Sequence, residues 1–153
     1  MAGRSNSEQP AKDAAPRARA ARWSYDAEQN ILFVSHPQPV ELQTVAEIEA
    51  YFDVGAQAWQ EQCGGRKVYV LVDYDGLTTN LDERAFYATQ VQRIMEFSIT
   101  IVRYQGSMLQ RMAARLTAIE LHTPSHTYAS LEEALAVVHG LQRGSISVQP
   151  PSS

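Results

Sequence analysis

Apolar and polar positions change period several times along this chain, and each change marks a predicted element. Trp23-Ser-Tyr-Asp alternates, and Ile31-Leu-Phe-Val-Ser is rich in β-formers, with Glu28-Gln-Asn30 between them as a turn. That pair predicts an antiparallel hairpin. Pro37 and Pro39 stop the second strand, because proline has no N–H to give to a ladder. From Val40 to about Gln62 the apolar spacing lengthens to three and four. Leu42, Val45, Ile48, Phe52, Ala56 and Trp59 then share one face of a long helix, which Gly64-Gly65 terminates.

Lys67 to Val72 is an almost unbroken run of β-formers, the pattern of a strand buried on both faces in a mainly parallel sheet. Asp73, Asp75 and Gly76 end it abruptly. Such strand ends are where open α/β sheets present loops to ligands and partners. Leu81 to Phe97 predicts a helix with a less regular stripe (Phe86, Val91, Ile94, Met95, Phe97), and Ser98 to Tyr104 another strand. Ser107 is an N-cap for a short helix from Met108 to about Leu116, followed by a strand over Ala118-Ile-Glu-Leu-His122. Thr123-Pro-Ser-His126 reads as a loop. Ser130-Leu-Glu-Glu133 has the form of a capping box, opening a last helix that buries Leu131, Ala134, Leu135, Val138 and Leu141 up to Gly144. The order is ββαβαβαβα, an α/β domain whose mixed, mainly parallel sheet has a leading β-hairpin and a cover of helices.

A length of 153 residues suits one domain with a single core. Residues 1–22, rich in Ala, Pro, Ser and Arg, predict a disordered basic arm, residues 23–143 the folded domain, and residues 144–153 a flexible tail. The arm holds Arg4, Lys12, Arg17, Arg19 and Arg22 against Glu8 and Asp13, while the rest of the chain holds eight basic and fifteen acidic groups. An acidic body argues against nucleic acid as a partner, since phosphate neutralisation needs clustered Lys and Arg. No apolar run reaches the roughly 20 residues of a membrane span, so membrane insertion is not expected. The start lacks the apolar segment of a secretory signal, and Cys63 has no cysteine partner in the chain. A bacterial-type cytoplasmic location follows as the expectation.

Little of the chain reads as catalytic chemistry. No nucleophile motif, Ser/His/Asp set or dinucleotide fingerprint is present, so no catalytic residue, metal or cofactor is assigned and the protein is expected not to be an enzyme. Asp73 and Asp75 have the i, i+2 spacing of turn chemistry. His36, His122, His126 and His139 are scattered, and Pro124 breaks any helical pairing of His122 with His126. Asn80 with Glu83, or Thr79 with Asp82, offers a helix cap. Arg103, Arg111 and Arg115 form the one basic concentration in the body, with Met108 and Met112 as an adaptable apolar pair beside them.

Val70-Leu-Val-Asp-Tyr-Asp-Gly-Leu77, together with this element order, resembles the STAS (SpoIIAA-like) domain of anti-sigma-factor antagonists and of the cytoplasmic tails of sulfate transporters. A closer similarity is to STAS-like segments found with bacterial acyl-CoA:carboxylate CoA-transferases. It is carried by Val72-Asp-Tyr-Asp-Gly76, by Val102-Arg-Tyr104 with residues 107–115, and by Tyr128-Ala-Ser-Leu-Glu-Glu-Ala-Leu135. The resemblance implies non-catalytic, regulatory binding of a partner protein, sometimes switched by phosphorylation; a homo-oligomer is a separate expectation. The family's acceptor position falls near Asp82 or Glu83, which carry no hydroxyl; Thr78 and Thr79 are the shifted candidates. The expected partner surface is Tyr74, Asp75, Thr78, Thr79, Asn80 and Asp82, with Met108, Arg111, Met112 and Arg115 beside them. The alternative is an accessory that binds an acyl-CoA or a nucleotide between the loop 74–80 and Arg103 with Arg111.

Overall fold

The hairpin forms where alternation places it. β1 (Arg22–Asp26) pairs antiparallel with β2 (Ile31–Ser35), Trp23 lying opposite Val34, and the Asp26 carboxylate closes the turn by accepting from the N–H groups of Glu28 and Gln29. The structure is a computed structural model and describes residues 20–122 and 126–144. Most of the expected basic arm and most of the expected tail therefore lie outside the described residues. Ala21 is buried, and Arg22, which composition assigns to the arm, already belongs to the sheet.

The long helix begins later than the apolar spacing suggests. Val40–Leu42 is a short strand, β3, and α1 runs over Val45–Cys63. Thr44 is the reason: its hydroxyl accepts from Glu47 N at 3.1 Å, while Glu47 Oε1 accepts from Thr44 N at 3.0 Å and Gln43 N at 2.9 Å. That capping box satisfies N–H groups that a helix start leaves orphaned. The buried face of α1 is Ile48, Tyr51, Phe52, Gly55 and Ala58; Val45 is exposed and Leu42 is buried from β3. Gly64 closes the helix in the left-handed conformation.

β4 (Val68–Asp73) is the centre of a five-stranded sheet in the order β1-β2-β4-β6-β7, with parallel neighbours β2 and β6 (Ser98–Tyr104) and with β7 (His126–Tyr128) at the far edge. Parallel neighbours on both edges and helices on both faces explain why its sequence is nearly all apolar. Beyond β4 the chain forms β5 (Leu77–Thr79), parallel to β3, then a 3₁₀ turn over Leu81–Glu83 and α2 (Arg84–Phe97). Asn80 makes the cap, accepting from Asp82 N at 3.0 Å rather than from Glu83.

Of the stretch expected as a strand over 118–122, residues 118–120 belong to a helix and 121–122 to the turn that ends it. α3 spans Met108–Glu120, and the last strand, β7, is His126–Tyr128, beside β6. Ala114, Thr117 and Ala118 are buried at helical spacing, and the Thr117 hydroxyl donates to Ala113 O at 3.0 Å. The period of three and four that begins at Met108 simply continues. α4 (Leu131–Gln142) follows, with Ser130 Oγ accepting from Glu133 N; Ala134 and Val138 are its fully buried positions, whereas Leu131 is exposed.

Side-chain alternation divides the core in two. Val68, Val70 and Ile101 face α1, α2 and α3, while Tyr69, Leu71 and Val102 face α4. Fully burying one such aliphatic side chain contributes roughly 1.5–3 kcal/mol. Trp59 stacks on Phe97 at 4.5 Å and Trp23 packs against Gly55, so both tryptophans are structural. Among the described residues no helix is long and apolar enough to cross a membrane.

Candidate functional site

A turn at the end of β4 begins the site. Asp73 Oδ1 accepts from Asp75 N at 2.8 Å, Tyr74 N donates to Tyr104 O at 2.9 Å, and Leu77 N donates to Tyr74 O at 3.1 Å. These bonds fold Asp73 and Asp75 into a turn and tie the chain to the end of β6. Residues 77–79 are then held by β3, with Thr78 opposite Glu41 and Thr79 opposite Leu42. What the sequence suggests to be a loop is half strand.

α3 crosses in front of this segment. Ser107 and Gln110 form a capping box, with Gln110 Oε1 accepting from Ser107 N at 2.6 Å and Ser107 Oγ accepting from Gln110 N at 3.1 Å. The Gln110 amide also donates to Leu77 O, fastening the helix to β5. Between them is a cavity of about 380 Å³. Leu77 to Leu81 form one wall, Arg84 and Tyr87 of α2 the back, and Leu109, Gln110, Ala113, Ala114 and Thr117 of α3 the other wall. Tyr74 and Arg103 also line it, at the C-terminal ends of β4 and β6.

Arg103 is the unusual member. It stands beside Val72 on the sheet face toward α2 and α3, and only 6% of its surface is exposed. Among the described residues its guanidinium has no carboxylate within ion-pair distance and no hydrogen bond. Among the described residues no acidic side chain lines the cavity. Burial holds the Tyr87 phenol far above its usual range, aided by the hydrogen-bonded Tyr74 and opposed by the Arg103 charge, so the Tyr87 ring stays a neutral neighbour of the cation.

The three arginines that the sequence groups together are therefore separated. Arg103 is buried, Arg111 Nη1 donates to Gly106 O at 3.3 Å, and Arg115 is exposed; neither Arg111 nor Arg115 lines the cavity. Of the other expected contact residues, Tyr74, Thr78, Thr79 and Asn80 line it, whereas Asp75 and Asp82 are exposed outside it. Met108 and Met112 point away from the core with 71% and 56% of their surface exposed, and Leu109 and Leu116 extend the same apolar strip at 62% and 52%. Sequence reasoning missed Arg84, Tyr87 and Gln110 as cavity residues. One signal was available for Gln110: Ser107-Met-Leu-Gln110 has the S-x-x-Q form of a cap that draws Gln110 toward the helix start.

His36 ties the scaffold beneath the site. Its Nδ1 lies 2.7 Å from Asp73 O, which can only accept, so Nδ1 carries the proton and Nε2 accepts from the Tyr51 hydroxyl at 2.8 Å. Burial lowers the histidine's pKa, keeping it neutral, and burial raises that of Tyr51. The pair joins the ends of β2 and β4 to α1. Burial likewise raises the Cys63 thiol, which sits in the core. Among the described residues no group of three or more His, Cys, Asp or Glu side chains is placed to hold a metal.

Comparison with family models, with curated proteins and with solved structures finds no match for this chain.

Proposed function

We propose that the protein is a non-catalytic, STAS-like cytoplasmic module that binds a small organic anion in the cavity between β5 and α3. One observation carries this reading: Arg103 is nine-tenths buried at the cavity with no counter-charge among the described residues. Holding a cation out of water costs several kcal/mol unless an anion and hydrogen bonds compensate it. The compensation fits a ligand. A cavity of this volume with mostly apolar wall surface and polar groups set among it is the usual form of a small-molecule site. The family resemblance puts a partner protein first; the buried cation puts the ligand first.

Thermal unfolding of the full chain with a panel of organic acids, phosphate esters and sulfonates tests the reading. At least one anion raises the midpoint saturably, by the equivalent of about 2.7 kcal/mol at a hundredfold excess over Kd. Arg103→Met abolishes the rise. Silence across the panel, or an equal rise in the variant, defeats the proposal.

The exposed strip Met108, Leu109, Met112 and Leu116 favours a second role for the same helix. Exposed apolar strips with a charged rim mark protein contacts. With Arg111 and Arg115 on that helix, the fitting occupant is an acidic amphipathic helix. A Leu/Glu amphipathic peptide should bind by fluorescence anisotropy, more weakly as salt rises. Replacing Met108 and Met112 together by alanine should weaken it about tenfold. Peptide binding that is absent, or indifferent to that double substitution, removes this role; self-association lost in the same variant places a second copy there instead.

A further inference from the structure

We infer that the ligand is a monocarboxylate with an apolar body, not a nucleotide or a coenzyme A ester. The inference rests on the proposed anion site and narrows its chemistry. Three observations carry it: a buried cation unpaired among the described residues, wall side chains at Asn80, Ser107, Gln110 and Thr117 that are already committed, and the acidic turn Asp82–Glu83 that follows the cavity wall.

The polar inventory is the first step. Asn80 spends its oxygen on Asp82 N and its amide on Gln43 O. Gln110 spends both ends on Ser107 N and Leu77 O, Ser107 caps α3, and the Thr117 hydroxyl donates to Ala113 O. These groups hold the walls in place and have little left for a ligand. A ribose or a purine edge needs several free donors and acceptors, and each one left unpaired in a buried site weakens binding. Tyr74, Thr78, Thr79, Arg84 and Tyr87 complete the polar lining, and the larger, apolar part of the surface is supplied by Leu77, Leu81, Leu109, Ala113 and Ala114. Such a surface matches an aliphatic or aryl body.

Charge is the second step. A guanidinium offers parallel N–H groups that fit one carboxylate in a bidentate pair. Arg84 also lines the cavity but already has a partner, so one unpaired cation is left to balance one negative charge. Asp82 and Glu83 lie in the turn that leads from the cavity wall into α2, where a phosphate would ordinarily exploit free N–H groups and the helix dipole. Two carboxylates there repel a dianion, and the polyphosphate of a coenzyme more strongly. A monoanion placed on Arg103 suffers least.

Titration calorimetry on the full chain tests this with hexanoate, phenylacetate, hexanamide, hexyl phosphate, AMP and coenzyme A, against wild type and Arg103→Met. The expected result is one-to-one binding of hexanoate or phenylacetate. Hexanamide, and either acid with the variant, bind at least about thirtyfold more weakly, the usual cost of truncating one partner of a buried charge pair. Hexyl phosphate, AMP or coenzyme A binding at least as tightly as the acids, and through Arg103, overturns the carboxylate assignment and leaves the anion site standing. No binding by any probe, or binding that ignores the Arg103 substitution, overturns both.

Discussion

Arg103→Met is expected to stabilise the ligand-free protein, by about 1–4 kcal/mol. Buried ion pairs replaced by well-packed apolar side chains often give gains of that size, and Arg103 lacks even the pair. Methionine is unbranched and adaptable enough to lie where the arginine stem lies, against Val72 in its own sheet and Val91 of α2. Two effects reduce the gain. The cavity opens to water, which solvates part of the guanidinium, and the Tyr87 phenol lies close enough to interact with the charge. The lower half of the range is therefore the better expectation. Urea unfolding measures it as a higher midpoint with an unchanged slope. A midpoint that falls, or does not move, means the guanidinium already gains from its surroundings, and the case for an anion site goes with it. A residue that costs stability at rest and is required for binding is the usual trade at a functional position.

The same residue shows where sequence reasoning stops. Strand Ser98–Tyr104 was legible from its β-formers, and the sheet's mainly parallel character from the unbroken apolar run in β4. The burial of Arg103 was not, because it depends on α3 lying across the end of β6. An arginine following Ile99 and Ile101 at every second position sits in register with apolar residues, which hinted at an inward direction. Charge counting overrode the hint and grouped it with Arg111 and Arg115. The cavity has the same origin: Leu77 and Gln110 are 33 residues apart and meet only through tertiary packing. β3 and β5 were missed since three residues carry too little pattern to announce a strand, and each exists only because the other supplies its hydrogen bonds. The longer reach of α3 was visible in the spacing of Ala114, Thr117 and Ala118 but was masked by the β-branched and apolar run around Ile119. Thr44 with Glu47 was fully legible as a capping box, and the apolar stripe running past it hid the signal.

Gly76→Ala is expected to cost about 2–4 kcal/mol, more than the backbone conformation alone explains. Gly76 has φ +83°, a region that costs an L-residue roughly 1–2 kcal/mol. A methyl group there would also stand 2.8 Å from the carbonyl oxygen of His36 and 3.3 Å from its Cβ. That carbonyl has little freedom to retreat, because the His36 ring is bonded at both nitrogens and Pro37 follows. Relief must come from the turn itself, whose Gly76 carbonyl accepts from Val40 N at 2.8 Å and so begins the β3–β5 pair. Leu77, the next residue, forms part of the cavity wall, so the strain reaches the site. Gly64→Ala supplies the control: φ is +60° and nothing lies within 4 Å of the added methyl. That variant loses only the conformational term, about 1–2 kcal/mol. The difference between the two urea midpoints isolates the steric contribution at His36. Equal losses would show that the approach of Gly76 to His36 yields freely, and with it the claim that this turn rigidly positions β5 against α3.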